Sequence, residues 1–147
     1  VVSIQNPYSL LNRTFEVGIA EVAIRENCGL LAYSPLAFGL LTGKYSRVNE
    51  TANGRITKFS SASKRYANVR AMEAASEYLS IANKYSLKPS QMALAFNIGR
   101  SFITSTIIGA TKLEQLKENM GAIDIKLSKE IFEEIEVAHS KNLFPCP

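Results

Sequence analysis

Ser3-Ile4-Gln5-Asn6-Pro7-Tyr8-Ser9-Leu10-Leu11-Asn12-Arg13, Ala32-Tyr33-Ser34-Pro35-Leu36 and Ile107-Ile108-Gly109-Ala110-Thr111 share one pattern. Each opens as a short apolar run, closes in polar, Gly or Pro residues, and precedes a stretch with helical periodicity. The second runs on to Leu41-Thr42-Gly43-Lys44-Tyr45. Repeated strand–loop–helix units predict an α/β fold with a parallel sheet, and they put the chemistry where the strands end.

Working outward, residues 1–5 read as a buried strand rich in β-branched side chains. Thr14 is placed to cap a helix over 14–27, with Phe15, Ile19, Val22 and Ala23 on one apolar face and Gly29 just past its end. Residues 30–34 form the second strand, stopped by Pro35. Residues 43–66 are polar and aperiodic, a long loop of the kind that is usually functional. Ala71, Ala74, Ala75, Tyr78, Ile81, Ala82 and Tyr85 make the stripe of a helix over 67–85. Pro89 opens another over 89–100, packed through Met92, Ala95 and Phe96. Residues 102–109 are the third strand, and Thr111-Lys112-Leu113-Glu114 reads as a capping box that starts a helix at Lys112 with an apolar edge of Leu113, Leu116 and Met120. Ser128 caps a last helix whose inner face is Ile131, Ile135 and Ala138, and the tail 142–147, with Pro145 and Pro147, ends helical structure.

A chain of 147 residues, 46% hydrophobic and 20% charged, reads as one soluble domain. No apolar run is long enough for a membrane span and no signal peptide is visible, so a cytoplasmic setting is expected. Val1 opens the chain inside an apolar run with no initiating Met, from which a truncated chain is expected. Cys28 and Cys146 are too few for a disulfide framework and lack metal spacing, and no metal site is expected. The net charge of +4 is concentrated in residues 44–70, where Lys44, Arg47, Arg55, Lys58, Lys64, Arg65 and Arg70 face the single acid Glu50. Such a stretch is either a solvated basic loop or a seat for an anion. It lacks repeated aromatics for base stacking and matches no helix-turn-helix or RNA-binding signature, so a phosphorylated small molecule is favoured over nucleic acid. Neither a GxGxxG nor a Walker loop is present.

Gln5 to Arg13, Tyr33-Ser34-Pro35-Leu36 with Gly39, Thr42-Gly43-Lys44-Tyr45, Met92-Ala93-Leu94-Ala95-Phe96, and Gly109-Ala110-Thr111 with Glu114-Gln115-Leu116 and Glu118-Asn119 occur in collinear order. Together they resemble the sixth, seventh and eighth strand ends of aldo-keto reductases, most closely the Tas-like branch related to potassium channel β subunits. The resemblance implies the C-terminal portion of a (β/α)8 TIM barrel: about three parallel strands with flanking helices, an incomplete barrel. Residues 1–147 would be one partial aldo-keto reductase domain whose N-terminal half is absent. The family's catalytic Asp, Tyr, Lys and His belong to earlier strands, so no catalytic residue is assigned. The one histidine, His139, lies in the last helix with no motif around it, and Tyr8 and Tyr33 match cofactor positions.

The cofactor that the resemblance implies is NADP(H). Tyr33 would lie flat against the nicotinamide and Gln5 would hydrogen-bond its carboxamide; read without the family, Gln5 is a polar residue at a strand end. Ser34, Leu36 and Ala37 would run beside the pyrophosphate, with Pro35 fixing the bend. Lys44 and Arg55 would meet phosphate, with Arg65 a rival to Arg55 and a surface lysine the alternative for Lys44. Gly109, Thr111 and Lys112 lead into a helix N-terminus suited to the adenosine 2′-phosphate, or into an ordinary capped surface helix. Gln115, Glu118 and Asn119 share one helical face that would hold adenine and ribose, or face solvent. The implied reaction is reduction of an aldehyde or ketone, a small-molecule carbonyl substrate, by a hydride passed to the carbonyl carbon. A nucleotide-sensing regulatory subunit and a catalytically inactive truncated fragment are the alternatives. Substrate identity and oligomeric state are not legible.

Overall fold

The computed structural model of the chain describes residues 1–46, 54–58 and 64–147. Three strands, β1 (Ser3–Pro7), β2 (Gly29–Tyr33) and β3 (Ile103–Thr106), form a parallel sheet in the order β1-β2-β3, and the sheet is not closed. The helices are α1 (Ile19–Arg25), α2 (Arg55–Lys58), α3 (Val69–Lys84), α4 (Pro89–Ile98), α5 (Leu113–Met120) and α6 (Lys129–Lys141). The parallel sheet with flanking helices and open edges is the arrangement of a partial (β/α) barrel.

The register decides which side chains serve the core. Ser3 is opposite Gly29, Gln5 opposite Leu31 and Pro7 opposite Tyr33. Successive side chains along a strand point to opposite faces. Leu30 and Ala32 are both 0% exposed and belong to one buried cluster with Met92, Ala93, Phe96 and the inner face of α3. Gln5, Leu31 and Tyr33 therefore share the other face. On β3 a register shift sets Leu30 against Ile103 and Leu31 against Ser105. Thr104, between them, turns its hydroxyl onto Gly29, where a Cβ would lie 1.6 Å from Thr104 Oγ1. Gly29 is thus a strand residue that admits its neighbour's side chain, rather than the cap of the preceding helix.

Several elements differ from the sequence expectation. β1 starts at Ser3, two residues on, and leaves Val1 and Val2 exposed. The expected helix over 14–27 is split into a single 3-10 turn, Thr14–Val17, and α1, with Gly18 between them. Thr14 does not cap it: its N–H and hydroxyl both donate to Asn12 Oδ1, at 3.2 and 2.7 Å, a local turn that competes with the helix. The break rotates the apolar face, so Phe15, Ala20 and Ala23 are buried while Ile19 and Val22 are exposed. Helices α3, α4 and α6 lie within two residues of their expected bounds, with the expected stripes buried except Tyr85, which falls just past the end of α3 and is half-buried. Ser128 caps α6 by accepting from Ile131 N at 3.4 Å. The capping box before α5 does not form: Lys112 is the cap residue without a side-chain bond, and Thr111 N and Oγ1 reach Gln115 Oε1 instead.

The exit of β1 is pinned by charge. The Arg13 side chain, 5% exposed, donates from Nε and Nη2 to the two Glu16 oxygens at 2.9 and 2.7 Å, and from Nη1 to Glu136 on α6 at 3.0 Å. Its guanidinium also lies 5.3 Å from the Phe96 ring centroid on α4. Arg100 joins Glu136 at 3.3 Å, and the Tyr8 hydroxyl donates to Glu16. Truncation of Arg13 leaves the half-buried Glu16 with only the Tyr8 hydroxyl and a 3.9 Å contact to Arg100, a loss of about 1–3 kcal/mol. Arg13→Ala is expected to lower the urea midpoint accordingly, and a shift within error sets aside this role for the ion pair.

Two apolar flanks are uncovered. Val22 and Ile24 on α1, and Leu113, Met120 and Ile123 on and after α5, are exposed, as are the edges β1 and β3. Clustered exposed apolar side chains and open strand edges promote association. A polypeptide of these 147 residues alone is expected to self-associate in sedimentation, and the double change Leu113→Lys, Met120→Lys to reduce it. A monodisperse monomer at high concentration contradicts this.

Candidate cofactor site

Because the strands are parallel, the C-terminal ends of all three lie at one edge of the sheet. Tyr33 closes β2 there, half-buried on the face it shares with Gln5, whose side chain is exposed. The Ile107 N–H donates to Ala32 O at 2.8 Å and carries the β3 exit past the same edge. An aromatic ring and a carboxamide on one open face have the chemistry to hold a planar amide-bearing ring. Tyr8 does not join them. It is 0% exposed, its ring meets Phe96 and Phe102 at centroid distances of 6.2 and 5.3 Å, and its hydroxyl serves Glu16, so it is a core residue.

Beyond Tyr33 the chain bends sharply. Ser34, Ala37 and Phe38 have φ of 55°, 48° and 56°, and Gly39 has 95°. Left-handed non-glycine residues are uncommon and gather at functional sites, where surrounding contacts must hold them. Ala37 N donates to Ser34 O at 2.9 Å and Gly39 N to Leu36 O at 2.8 Å, while Thr42 Oγ1 donates to Gly39 O at 2.7 Å. Pro35 and Ala37 are buried, and Ser34 and Leu36 half-buried.

The cations read from the sequence gather on this turn. Lys44 runs over Gly39, where an added Cβ would lie 2.5 Å from Lys44 Cε, and its ammonium sits 5.0 Å from the Tyr45 ring centroid. The Tyr45 hydroxyl donates to Phe38 O at 3.4 Å and accepts from Ile56 N at 2.9 Å. Arg55 opens α2 with its guanidinium 4.6 Å from the Phe38 ring centroid. Tyr66 stacks on Phe38 at 4.9 Å, next in the chain to the rival Arg65. Phe38 thus gathers the Tyr66 ring, the Arg55 guanidinium and the Tyr45 hydroxyl, with Lys44 on the Tyr45 ring, in the turn that also holds Ser34. Arg47 and Glu50, also read from the sequence, lie outside the described residues.

The third strand end is more open. Gly109, Thr111 and Lys112 are exposed, and nothing lies within 4 Å of a Cβ added at Gly109. Gln115 is exposed but its Oε1 is taken by Thr111. The Glu118 carboxylate turns to α4, where it accepts from Ser90 and, at 2.9 Å, from Lys88 Nζ. Asn119 is buried. The structure therefore does not present Gln115, Glu118 and Asn119 as one free polar face. Among the described residues no group of three or more His, Cys, Asp or Glu could hold a metal ion, and no helix is long and apolar enough to cross a membrane.

The contacts of Phe38 with Tyr66 and Tyr45 are not legible in the sequence, because Phe38 and Tyr45 lie in successive 3-10 turns, Tyr66 comes from beyond α2, and no periodicity relates them. Their aromatic character beside Lys44, Arg55 and Arg65 was the available signal. The Arg13–Glu16–Glu136 network was missed for the same reason, its members being 123 residues apart along the chain between Arg13 and Glu136.

The family profile of the aldo/keto reductases matches residues 1–139. The chain belongs to the aldo/keto reductase family. It is 47% identical over 147 residues to Protein tas of Escherichia coli, covering 100% of this chain and 42% of that protein. It is 30% identical over 141 residues to a Schizosaccharomyces pombe protein named as a candidate voltage-gated potassium channel subunit β, covering 92% of this chain and 41% of that protein. An aldo-keto reductase of the same yeast, yakc, named with NADP(+), is 26% identical over 133 residues, covering 90% and 39%. The chain spans about two fifths of the length of these relatives.

His139 lies on the opposite side of the sheet from Tyr33, beside the Arg13 network. Burial, and secondarily the Arg13 charge, hold its pKa below the ordinary 6.5, against the opposing pull of Glu136. Burial also works to raise the Glu16 carboxyl, but the bonds from Arg13 and Tyr8 prevail and leave it below the ordinary range. As pH falls through 6.5 the unfolded chain takes up the histidine proton before the folded one, so stability declines from there down to the folded value. Urea unfolding between about pH 7 and about pH 5 is expected to show this decline, and His139→Gln to flatten it. An unchanged slope in the variant attributes the decline to other groups.

Proposed function

We propose that the chain is the cofactor-binding part of an NADPH-dependent reductase of aldehydes or ketones, and that residues 1–147 belong to one domain of that kind. The observation that carries this is the left-handed turn after β2, which holds Ser34 and brings Arg55 onto the Phe38 ring and Lys44 onto the Tyr45 ring and over Gly39, just after the open-faced Tyr33. Those groups fit a phosphorylated dinucleotide: backbone and hydroxyl donors with cations for the pyrophosphate, and an aromatic ring with an amide for the nicotinamide. When bound, the reduced nicotinamide supplies a hydride to a carbonyl carbon. In this reading Tyr33 covers one side of the ring and leaves the other to the substrate, Gln5 orients the carboxamide, and Pro35, Leu36 and Ala37 shape the turn along the pyrophosphate. Lys112, with Gly109 and Thr111, receives the 2′-phosphate at the start of α5, and Gln115 is left for the adenine edge. Glu118 and Asn119 reach adenosine only after rearranging their present contacts. The NADP(+) in the name of the yeast relative supports the phosphorylated cofactor. A carbonyl substrate and a cytoplasmic setting belong to the proposal, and no residue of this chain is proposed as the proton donor.

The similarity to a candidate channel β subunit favours one other reading, a nucleotide-sensing regulatory subunit. Turnover of a generic aldehyde with NADPH separates the two.

Calorimetric titration tests the cofactor reading. NADPH is expected to bind more tightly than NADH, and Lys112→Ala to weaken NADPH about two- to fivefold while sparing NADH. Tyr33→Ala is expected to weaken both about two- to tenfold. No heat with either nucleotide overturns the reading, and equal loss of both on Lys112→Ala overturns the 2′-phosphate assignment.

A further inference from the structure

The last six residues have no part in the reading above, yet they are firmly seated. After α6 the chain turns back through Phe144, at φ 47°, whose ring meets the His139 ring edge-on at 5.5 Å. Pro145 and Cys146 are buried, and burial pushes the Cys146 thiol up to about 12. Cys146 N donates to Leu11 O at 3.2 Å, and Arg70 Nη2 to Leu143 O at 3.2 Å.

Asn68 ties this tail to the candidate site. Its Oδ1 caps α3 by accepting from Ala71 N at 2.8 Å. Its Nδ2 donates both to Arg65 O at 2.7 Å and to Pro145 O at 3.1 Å. One side chain thus holds the start of α3, the backbone next to Tyr66, and the tail. Tyr66 itself is 3% exposed and stacks on Phe38. The path from tail to turn is continuous: Pro145 to Asn68, Asn68 to the Arg65 carbonyl, and the adjoining Tyr66 to the left-handed residue Phe38.

A run of left-handed non-glycine residues persists only where its surroundings hold it. The turn's own hydrogen bonds are local. Tyr66 is an anchor from outside it, and the Arg65 carbonyl next to it shares the Asn68 Nδ2 donor with the Pro145 carbonyl of the tail. We propose that Tyr66 is a positioning residue for the turn over residues 34–39, held in place by Asn68 and the C-terminal tail, so that the tail sets the affinity of the turn for a pyrophosphate-bearing cofactor. The affinity part rests on the NADP(H) reading, whereas the tether does not.

Hydrogen exchange by mass spectrometry on the full chain reads the tether directly. Asn68→Asp keeps the helix cap, since Asp accepts as Asn does, but removes both Nδ2 bonds. It is expected to speed exchange in peptides covering residues 34–45 about three- to tenfold, with α4 and α6 unchanged. Deletion of residues 143–147 is expected to do the same. Tyr66→Leu, which removes the ring stacked on Phe38, is expected to give an increase confined to that segment. In parallel, the dissociation constant for NADP+ is expected to rise about three- to tenfold in Asn68→Asp. Unchanged exchange over 34–45 in Asn68→Asp and in the shortened chain overturns the proposal. So does faster exchange spread evenly over α3, α4 and α6, which would mark a merely structural role. Faster local exchange with an unaltered NADP+ constant overturns control of affinity. If the unaltered chain binds no NADP+, the cofactor reading falls and the exchange result alone decides the tether.

Discussion

A buried guanidinium organises the helical side of this sheet. Arg13 leaves β1, clasps Glu16 with two bonds, reaches Glu136 on α6 and lies against Phe96 of α4. A charge taken from water must be matched on all sides, so the three elements around it cannot slide independently. Tyr8 and Arg100 extend the network, the first through Glu16 and the second through Glu136. With that side locked, Leu30 and Ala32 face a dense core and the alternate residues Gln5, Leu31 and Tyr33 are left facing outward. The candidate site is thus a by-product of strand alternation against a fixed core.

Local strain is concentrated at the exit of β2. Three non-glycine residues and Gly39 are left-handed within six positions, and the contacts that hold them are aromatic and cationic rather than helical. A cation on an aromatic face retains its charge while its hydration is partly replaced. Lys44 and Arg55 are therefore held near the turn without an acidic partner among the contacts described for them. The Phe38–Tyr66 stack connects, through Asn68, to Pro145.

Legibility in the sequence tracked the length and regularity of each element. The alanine-rich stripe of α3, Pro89 at the start of α4 and the Ser128 cap of α6 were readable, because each is a local pattern with a local cause. Thr14 and Thr111 misled for one reason: a hydroxyl near an apolar run looks like a cap, but in both places another short-range partner, Asn12 or Gln115, takes it. Gly29 looked like a helix terminator and is a strand residue cleared for Thr104. Of the candidate site, Tyr33, Ser34, Lys44 and Arg55 stand together at the β2 exit. Glu118 and Asn119 are committed elsewhere, since a shared helical face does not say which neighbour will claim it.

The sequence by itself determined the parallel strand–helix order, the family, and the strand ends where polar, Gly and Pro residues replace apolar ones. Those follow from periodicity and from motifs read along the chain. Only the tertiary structure decided that Tyr8 belongs to the core and Tyr33 to the open face, that Tyr66 stacks on Phe38, and that Asn68 joins the backbone beside Tyr66 to the tail. These are contacts between residues distant in sequence, and their geometry depends on strand register and on the direction of each side chain, which no local pattern encodes.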